Sequence, residues 1–135
     1  MRLAARATAL TALTLALVAP AVGAQAQGNH WKTLTAMEGG KIQACKMATT
    51  KTGPWKIKLR VDASTAKVRV DGSAFVAKGT KNLDHWKSGW VAKGQVSDVG
   101  TVKLPRGSAY TLNAGISTGQ AGNGGSFRPG QIKAC

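Results

Sequence analysis

Residues 55–62 alternate strictly between apolar and polar side chains. The odd-numbered positions of this run, Trp-Lys-Ile-Lys-Leu-Arg-Val-Asp, are apolar and the even-numbered positions are charged. Because successive side chains of an extended chain point to opposite faces, this period of two predicts a half-buried β-strand. Residues 67–71, Lys-Val-Arg-Val-Asp, repeat the pattern after a short gap and can continue in phase to Val76. Together the two runs predict a β-hairpin.

The polar side of this predicted hairpin is basic. Its five cations are Lys56, Lys58, Arg60, Lys67 and Arg69. Cations about 5 to 7 Å apart on a flat sheet match the repeated charges of a polyanion, and such binding weakens as salt rises. We therefore expect an anion-binding face. The alternative is a solvated outer face whose lysines discourage edge-to-edge aggregation.

Further runs with a period of two predict strands in the rest of the chain. They cover residues 41–49, 90–96, 99–104, 110–116 and 131–135, and residues 31–37 fit either a strand or a single helical turn. Pro105-Arg106-Gly107 has the residues of a turn, so the strands on either side of it should form a second hairpin. The inward side chains of that hairpin are expected to be Val102, Leu104, Tyr110 and Leu112.

Two stretches lack this period. Residues 83–90 fit an ordered loop or a strand edge, and the glycine-rich residues 119–130 predict a mobile loop. Seven or eight strands without a long helix predict an all-β fold, an antiparallel β-sandwich of the Ig-like or jelly-roll-like kind. An open barrel is the alternative. Residues 100–112 also resemble the strand-turn-strand units of many secreted β-sandwich modules, which implies the fold class and no activity.

The first 26 residues have the layout of a secretory signal peptide. Arg2 and Arg6 accompany an apolar run over residues 7–18, and Ala24-Gln25-Ala26 supplies the small residues of a cleavage site. The apolar run is shorter than the roughly 20 residues that a membrane-spanning helix needs. We therefore expect residues 27–135 to form a single secreted, extracellular domain without a transmembrane segment.

The expected mature chain is strongly basic. Without Arg2 and Arg6, 17 of the 19 Lys and Arg residues remain against five acidic residues, which gives a net charge of +12. Such a surplus attracts polyanions, although basic surfaces also serve solubility alone. Specific nucleic-acid binding is not expected, because a stacking platform needs exposed aromatic side chains among the cations and Trp55 should face inward. The expected partner is an anionic polymer or the cell-wall surface.

Cys45 and Cys135 are the only two cysteines of the chain. In an oxidising compartment they predict one disulfide that fastens the C-terminus to the strand carrying Cys45. Together with His30 and His85 they lack the spacing of a zinc site. We therefore expect neither a metal nor a cofactor.

Trp86 and Trp90 lie four residues apart around Ser88-Gly89 and are a candidate aromatic platform for a sugar ring. Asp84, His85 and Lys87 could bond its hydroxyl groups. The alternative is that one or both indoles close an end of the sandwich, because large aromatic side chains usually bury most of their area.

No sequence motif indicates an enzyme. The five acidic residues have no paired-carboxylate spacing, and neighbouring side chains such as Asp84 and His85 point apart on a strand. A hydrolase would require that folding bring two acids, or His85 and an acid, face to face. The expected function is a non-enzymatic binding domain. The second hypothesis is a protein-interaction or inhibitor module that acts through residues 83–90 and 119–130.

Overall fold

The computed structural model describes residues 30–135, so the predicted signal peptide lies outside the described residues. The chain forms eight β-strands followed by one short 3-10 turn, Pro129–Gln131. The strands are β1 (Lys32–Met37), β2 (Gly40–Ala48), β3 (Trp55–Asp62), β4 (Val70–Lys78), β5 (Lys81–Val91), β6 (Gly100–Leu104), β7 (Tyr110–Ser117) and β8 (Gly122–Phe127). The predicted strand at 31–37 is confirmed over its helical alternative.

The strands build two antiparallel sheets of four. The first sheet has the order β1-β2-β3-β6 and the second has the order β5-β4-β7-β8. The inner faces enclose one core, in which Ile57, Leu59 and Val61 of β3 are fully buried. This arrangement confirms the predicted all-β antiparallel sandwich and the inward side of residues 55–62.

Successive strands run in opposite directions along the sandwich, so each end gathers a separate set of connections. The upper end carries residues 38–39, 63–69, 92–99 and 118–121. The lower end carries residues 49–54, 79–80, 105–109 and 128–135. Residues far apart in the sequence therefore meet at each end.

The predicted pairing of residues 55–62 with residues 67–71 is wrong. β3 pairs with β2 and β6, whereas β4 pairs with β5 and β7. The connection 63–69 therefore crosses from one sheet to the other. A period of two shows that each strand buries one face, but two such strands can pair side by side or face each other across a core about 10 Å thick.

The second predicted hairpin is wrong for the same reason. β6 belongs to the first sheet and β7 to the second. The predicted inward residues are nevertheless correct, because Val102, Leu104 and Leu112 are buried and Tyr110 packs partly buried against the core. The period of two therefore identified the inner face correctly and the neighbouring strand incorrectly.

Residues 83–90 form most of β5, whose period is broken by two bulges. Its pairing with β4 skips Leu83 and Ser88, and an extra residue on one strand shifts the phase of the side chains that follow. The Ser88 Oγ fills its bulge by accepting a hydrogen bond from the Gly72 N–H (2.9 Å) and donating to the Gly89 carbonyl oxygen (2.7 Å). The predicted strand at 90–96 is wrong beyond Val91.

The glycine-rich stretch 119–130 is not a loop throughout, because residues 122–127 form β8. These residues are mostly exposed at a sheet edge, so pairing with the β7 backbone places them and no side-chain pattern reveals the strand. At the same edge the Asn123 Nδ2 donates to the Ala36 carbonyl oxygen of β1 (3.0 Å). The two sheets therefore meet along β1 and β8.

The C-terminal segment packs against β2 instead of forming the predicted strand 131–135. The Lys46 N–H donates to the Lys133 carbonyl oxygen (2.8 Å), and the Cys135 N–H donates to the Lys46 carbonyl oxygen (2.9 Å). Ile132 is 2% exposed and belongs to the core. The disulfide between Cys45 and Cys135 confirms the predicted pairing and holds this segment in place.

Candidate anion-binding end and tryptophan cleft

The five cations of the predicted basic face do not share one face. Lys56 and Lys58 lie on the outer side of the first sheet, in β3. Lys67 and Arg69 lie in the connection 63–69 at the upper end, because that connection leads to the second sheet. Arg60 is in β3 but is only 9% exposed.

Arg60 is covered by neighbouring side chains of the first sheet. Its guanidinium stacks on the Trp31 ring at 4.3 Å, and its Nε donates to Gln43 Oε1 (2.8 Å). Burial lowers the pKa of Arg60, and the nearby Asp62 carboxylate opposes that shift. The arginine therefore has a structural role in the first sheet.

The upper end has a mixed charge. Four of the five acidic residues of the described chain lie there: Glu38, Asp62, Asp71 and Asp98. The Lys67 N–H donates to the Glu38 carbonyl oxygen (2.8 Å), and the Arg69 guanidinium lies over the Trp90 ring at 4.7 Å. A polyanion approaching this end would meet carboxylates as well as cations.

The lower end is basic, and its lysines are exposed. We define the basic end as six exposed lysines: Lys51, Lys56, Lys78, Lys81, Lys103 and Lys133. Two pairs of them are direct cross-strand neighbours, Lys56 with Lys103 and Lys78 with Lys81. Like charges directly opposite each other on a sheet are destabilising, so folding alone does not favour these pairs.

Asp84 is the acidic residue nearest to the basic end, and backbone donors occupy its carboxylate. Its Oδ1 accepts from the His85 N–H (2.9 Å), and its Oδ2 accepts from the Lys103 N–H across the gap between β5 and β6 (2.8 Å). The carboxylate thus joins the edges of the two sheets.

Three further cations at the lower end hold its loops. The Arg106 Nε donates to the Gly53 carbonyl oxygen (2.8 Å), and its guanidinium stacks on the Trp55 ring at 4.1 Å. Arg128 donates to the Ser108 carbonyl oxygen (2.9 Å), and the Lys46 Nζ donates to the Pro129 carbonyl oxygen (2.5 Å). These residues bring positive charge to the end but serve the fold directly.

Sequence reasoning missed most of the basic end. Lys51, Lys103 and Lys133 belong to three separate connections or strands, and only the topology brings them together. One local signal was present, since Lys78-Gly79-Thr80-Lys81 is a turn with a lysine on each side. A tight turn places its flanking residues side by side, so this pair was predictable.

Trp86 and Trp90 do not form one flat platform. Trp86 lies opposite Ala74 on the inner face of the second sheet, whereas Trp90 lies opposite Asp71 on the outer face. Residues four apart share a face of an uninterrupted strand, but the bulge at Ser88 changes the phase between them. Trp86 packs partly buried against the core, and Trp90 is 49% exposed.

Both indoles nevertheless border one cleft of about 510 Å³ at the upper end, between the edge of β5 and residues 92–99. The Trp86 ring lies directly over Gly100, where a Cβ atom would approach the ring to 2.0 Å. Gly100 therefore leaves the room that the Trp86 side chain occupies. The Trp90 ring extends along the outer face as far as Gly119.

The conditions stated for a hydrolase are not met by His85 and Asp84. His85 lies opposite Phe75 on the exposed outer face, and Asp84 lies opposite Val76 on the inner face. Within residues 30–135, no three His, Cys, Asp or Glu side chains are grouped so that they could hold a metal ion. The same residues include no helix long and apolar enough to cross a membrane.

Comparisons with protein-family models, with curated proteins and with solved structures found no match to this chain. The function is therefore argued from the residues of the chain itself.

Proposed function

We propose that this chain is a small, secreted, non-enzymatic binding domain that holds an anionic polymer, such as a charged polymer of the cell envelope, against its basic end. Secretion is part of the proposal. It is supported by the signal-peptide layout of residues 1–26 and by a disulfide of the kind that persists in oxidising compartments.

The observation that carries the proposal is the pairing of Lys56 with Lys103 and of Lys78 with Lys81. Each pair places two exposed lysines directly opposite each other on neighbouring strands, which costs folding free energy. A chain of phosphate, sulfate or carboxylate groups would relieve this repulsion by lying across the lower end. Its bound counterions would be released at the same time, which favours binding at low salt.

The positions of the other lower-end cations support the same proposal, binding of an anionic polymer at the basic end. Arg106, Arg128 and Lys46 fix the loops that present the lysines, so the basic end does not have to order itself when a ligand arrives. At the upper end the four carboxylates weaken the local positive potential. The polymer should therefore bind at one end of the domain.

The alternative function, a protein-interaction or inhibitor module, would act largely through edge strands and not through loops. Residues 83–90 are strand β5, and residues 122–127 of the second stretch are strand β8. Neither is a protruding loop, and no contact in the described chain favours this alternative over the basic end.

Two matched triple variants test the proposal. The first reverses Lys56, Lys78 and Lys81 to Glu, and the second reverses Lys67, Lys87 and Lys93 to Glu; all six lysines are exposed, and both variants change the net charge equally. Retention on cell-wall fragments, heparin and DNA is measured across a salt series. Each lost contact should reduce the magnitude of the slope of log affinity against log salt concentration by roughly 0.7 to 0.9.

We expect the first variant to elute at clearly lower salt, the second to stay close to the unmodified protein, and one polymer to be preferred. Equal weakening of polymer retention in both variants would mean that net charge alone governs retention. Unchanged retention of the first variant would place the ligand elsewhere. Either result would overturn the proposal.

A further inference from the structure

The upper-end cleft has a wall that is fixed before any ligand binds. Residues 92–99 are tied to the end of β3 by hydrogen bonds from the Gly94 N–H to the Ala63 carbonyl oxygen and from the Ala63 N–H to the Gln95 carbonyl oxygen, both 2.8 Å long. The Ser97 Oγ accepts from the Val61 N–H (2.8 Å). A wall held in this way loses little conformational entropy on binding.

Polar side chains around this cleft are not used by the fold. Lys87, Gln95 and Asp98 border the cleft, and their side chains make no hydrogen bond within residues 30–135. Ser88 and Ser97, by contrast, are occupied by backbone partners. The cleft therefore offers an ammonium donor, an amide that both donates and accepts, and a carboxylate acceptor.

Two indoles supply the aromatic part of the cleft, and the exposed Val96 and Val99 add aliphatic surface. Trp90 is 49% exposed, with the Arg69 guanidinium over its ring at 4.7 Å, and Trp86 presents part of its ring beside Gly100. The volume of about 510 Å³ lies within the roughly 300 to 1,000 Å³ typical of small-molecule sites. An indole combines a flat apolar surface with an N–H donor, so the lining suits a ligand that has apolar faces and a rim of hydroxyl groups.

We propose that this cleft, bordered by Trp86, Lys87, Trp90, Gln95, Asp98 and Gly100, binds a neutral saccharide. Pyranose rings have C–H faces that stack on aromatic rings and hydroxyl groups that both donate and accept hydrogen bonds. The charges of Lys87 and Asp98 balance each other, and beside Trp90 the Asp71 carboxylate balances the Arg69 guanidinium, so the site does not favour an anion. This inference is independent of the basic end, which lies at the other end of the sandwich.

The test begins with an array of neutral oligosaccharides, followed by a titration of the best trisaccharide monitored by tryptophan fluorescence. Asp98→Asn removes only an exposed carboxylate, and Trp90→Ala removes the exposed indole. The control is Phe75→Ala, which removes an exposed aromatic side chain from the outer face of the second sheet, outside the cleft. Both cleft variants should weaken binding at least about tenfold, whereas the control should not.

Binding at the cleft should be nearly independent of salt, and the lower-end triple variant should bind the trisaccharide normally. No binding of any neutral trisaccharide at ~10 mM, a concentration that detects even dissociation constants weaker than about 1 mM, would overturn the inference. Equal loss of affinity in Phe75→Ala and Asp98→Asn would do the same. So would light scattering that finds a dimer abolished by Trp90→Ala, because a second copy would then occupy the cleft.

Discussion

The two ends of the sandwich hold their loops in different ways. At the upper end the connections are closed mainly by backbone and hydroxyl groups, such as the Gly94 N–H on the Ala63 carbonyl oxygen and the Thr65 Oγ1 on the Gly39 carbonyl oxygen. At the lower end, cationic side chains of Arg106, Arg128 and Lys46 donate to carbonyl oxygens of other loops. The disulfide adds a covalent link there.

This difference gives the positive charge of the lower end a structural role and leaves ligand binding as its second, proposed role. Some cations close loops, and others, such as Lys51 and Lys81, are exposed and contact no carbonyl oxygen of residues 30–135. A count of basic residues therefore overstates the number available to a ligand. Experiments that separate the two roles also test whether the ends are held independently.

The largest effect should come from removing the disulfide. Cys45 and Cys135 are separated by 90 residues, and loss of a crosslink over a loop of that length costs about 4 to 5 kcal/mol in the chain-entropy model. We expect the double variant Cys45→Ser/Cys135→Ser to lose free energy of unfolding in this range, measured by urea denaturation. Freeing residues 128–135 should also expose Ile132, which now lies in the core.

Hydrogen exchange then shows whether the loss is confined to the lower end. The amides of Lys46 and Cys135, which bond the C-terminal segment to β2, should exchange faster in this variant. The exchange rates of the Ala63 and Gly94 amides at the upper end should rise only as far as the loss of global stability requires. A loss below about 1 kcal/mol, or faster local opening at both ends alike, would contradict the prediction.

A smaller effect is expected from Arg106. Its Nε and Nη2 donate to the carbonyl oxygens of Gly53 and Thr50, and its guanidinium stacks on Trp55. Arg106→Ala should lower the free energy of unfolding by about 1 to 2 kcal/mol, because it removes these bonds and one stacked cation. Arg106→Lys should recover less than half of this loss, since an ammonium cannot reproduce the planar fork.

The matched control for Arg106→Ala is Lys51→Ala, in the loop that Arg106 holds. Lys51 is exposed and should change stability by no more than about 0.5 kcal/mol. Its effect should be seen in polymer retention and not in unfolding. Similar stability losses in the two variants would mean that structural and ligand-facing cations cannot be separated at this end.

The sequence predicted strands more reliably than their partners. Alternation at residues 55–62 and 110–116 identified β3, β7 and their buried sides, because burial of one face leaves a period of two. Pairing depends on the path of the connections, and residues 63–69 lead from the first sheet to the second instead of returning the chain to the side of β3. Residues 83–90 were left between a loop and a strand edge, because bulges break the period of the edge strand β5. β8 was missed because its glycines leave no side chains to alternate.

The candidate sites were harder to predict for a related reason. Both are made where connections converge, and the sequence gives no distances between such connections. Trp86 and Trp90 were selected for their spacing, yet the bulge at Ser88 decides which face each occupies. The alternation of residues 55–62 predicts a solvent-facing Arg60, but the Trp31 ring covers its guanidinium. No local pattern indicates that residue 31 lies beside residue 60.

The smallest predicted effect distinguishes the ends by pH. Partial burial raises the pKa of Asp62. Hydrogen bonds from the Ser64 N–H (3.0 Å) and hydroxyl (2.5 Å) and the charges of Arg60 and Lys41 lower it. Together these lowering causes outweigh burial, so the pKa of Asp62 lies below its ordinary value. The folded protein thus binds this proton less readily than the unfolded chain. The resulting stability is present above the unfolded pKa of about 3.9 and is lost as pH falls through the lower folded value.

The difference in unfolding free energy between the unmodified protein and Asp62→Asn should therefore be largest near neutral pH and shrink below about pH 4. Ser64→Ala, which removes the hydroxyl donor and keeps the N–H donor, should show part of the same dependence. At the lower end, Arg106 and Lys46 donate to backbone carbonyl oxygens and not to a carboxylate, so these bonds should persist. Acid should consequently loosen residues 62–66 before residues 128–135, as read from amide exchange. A pH-independent difference between the two proteins would contradict the role of the Asp62 carboxylate in closing the upper end.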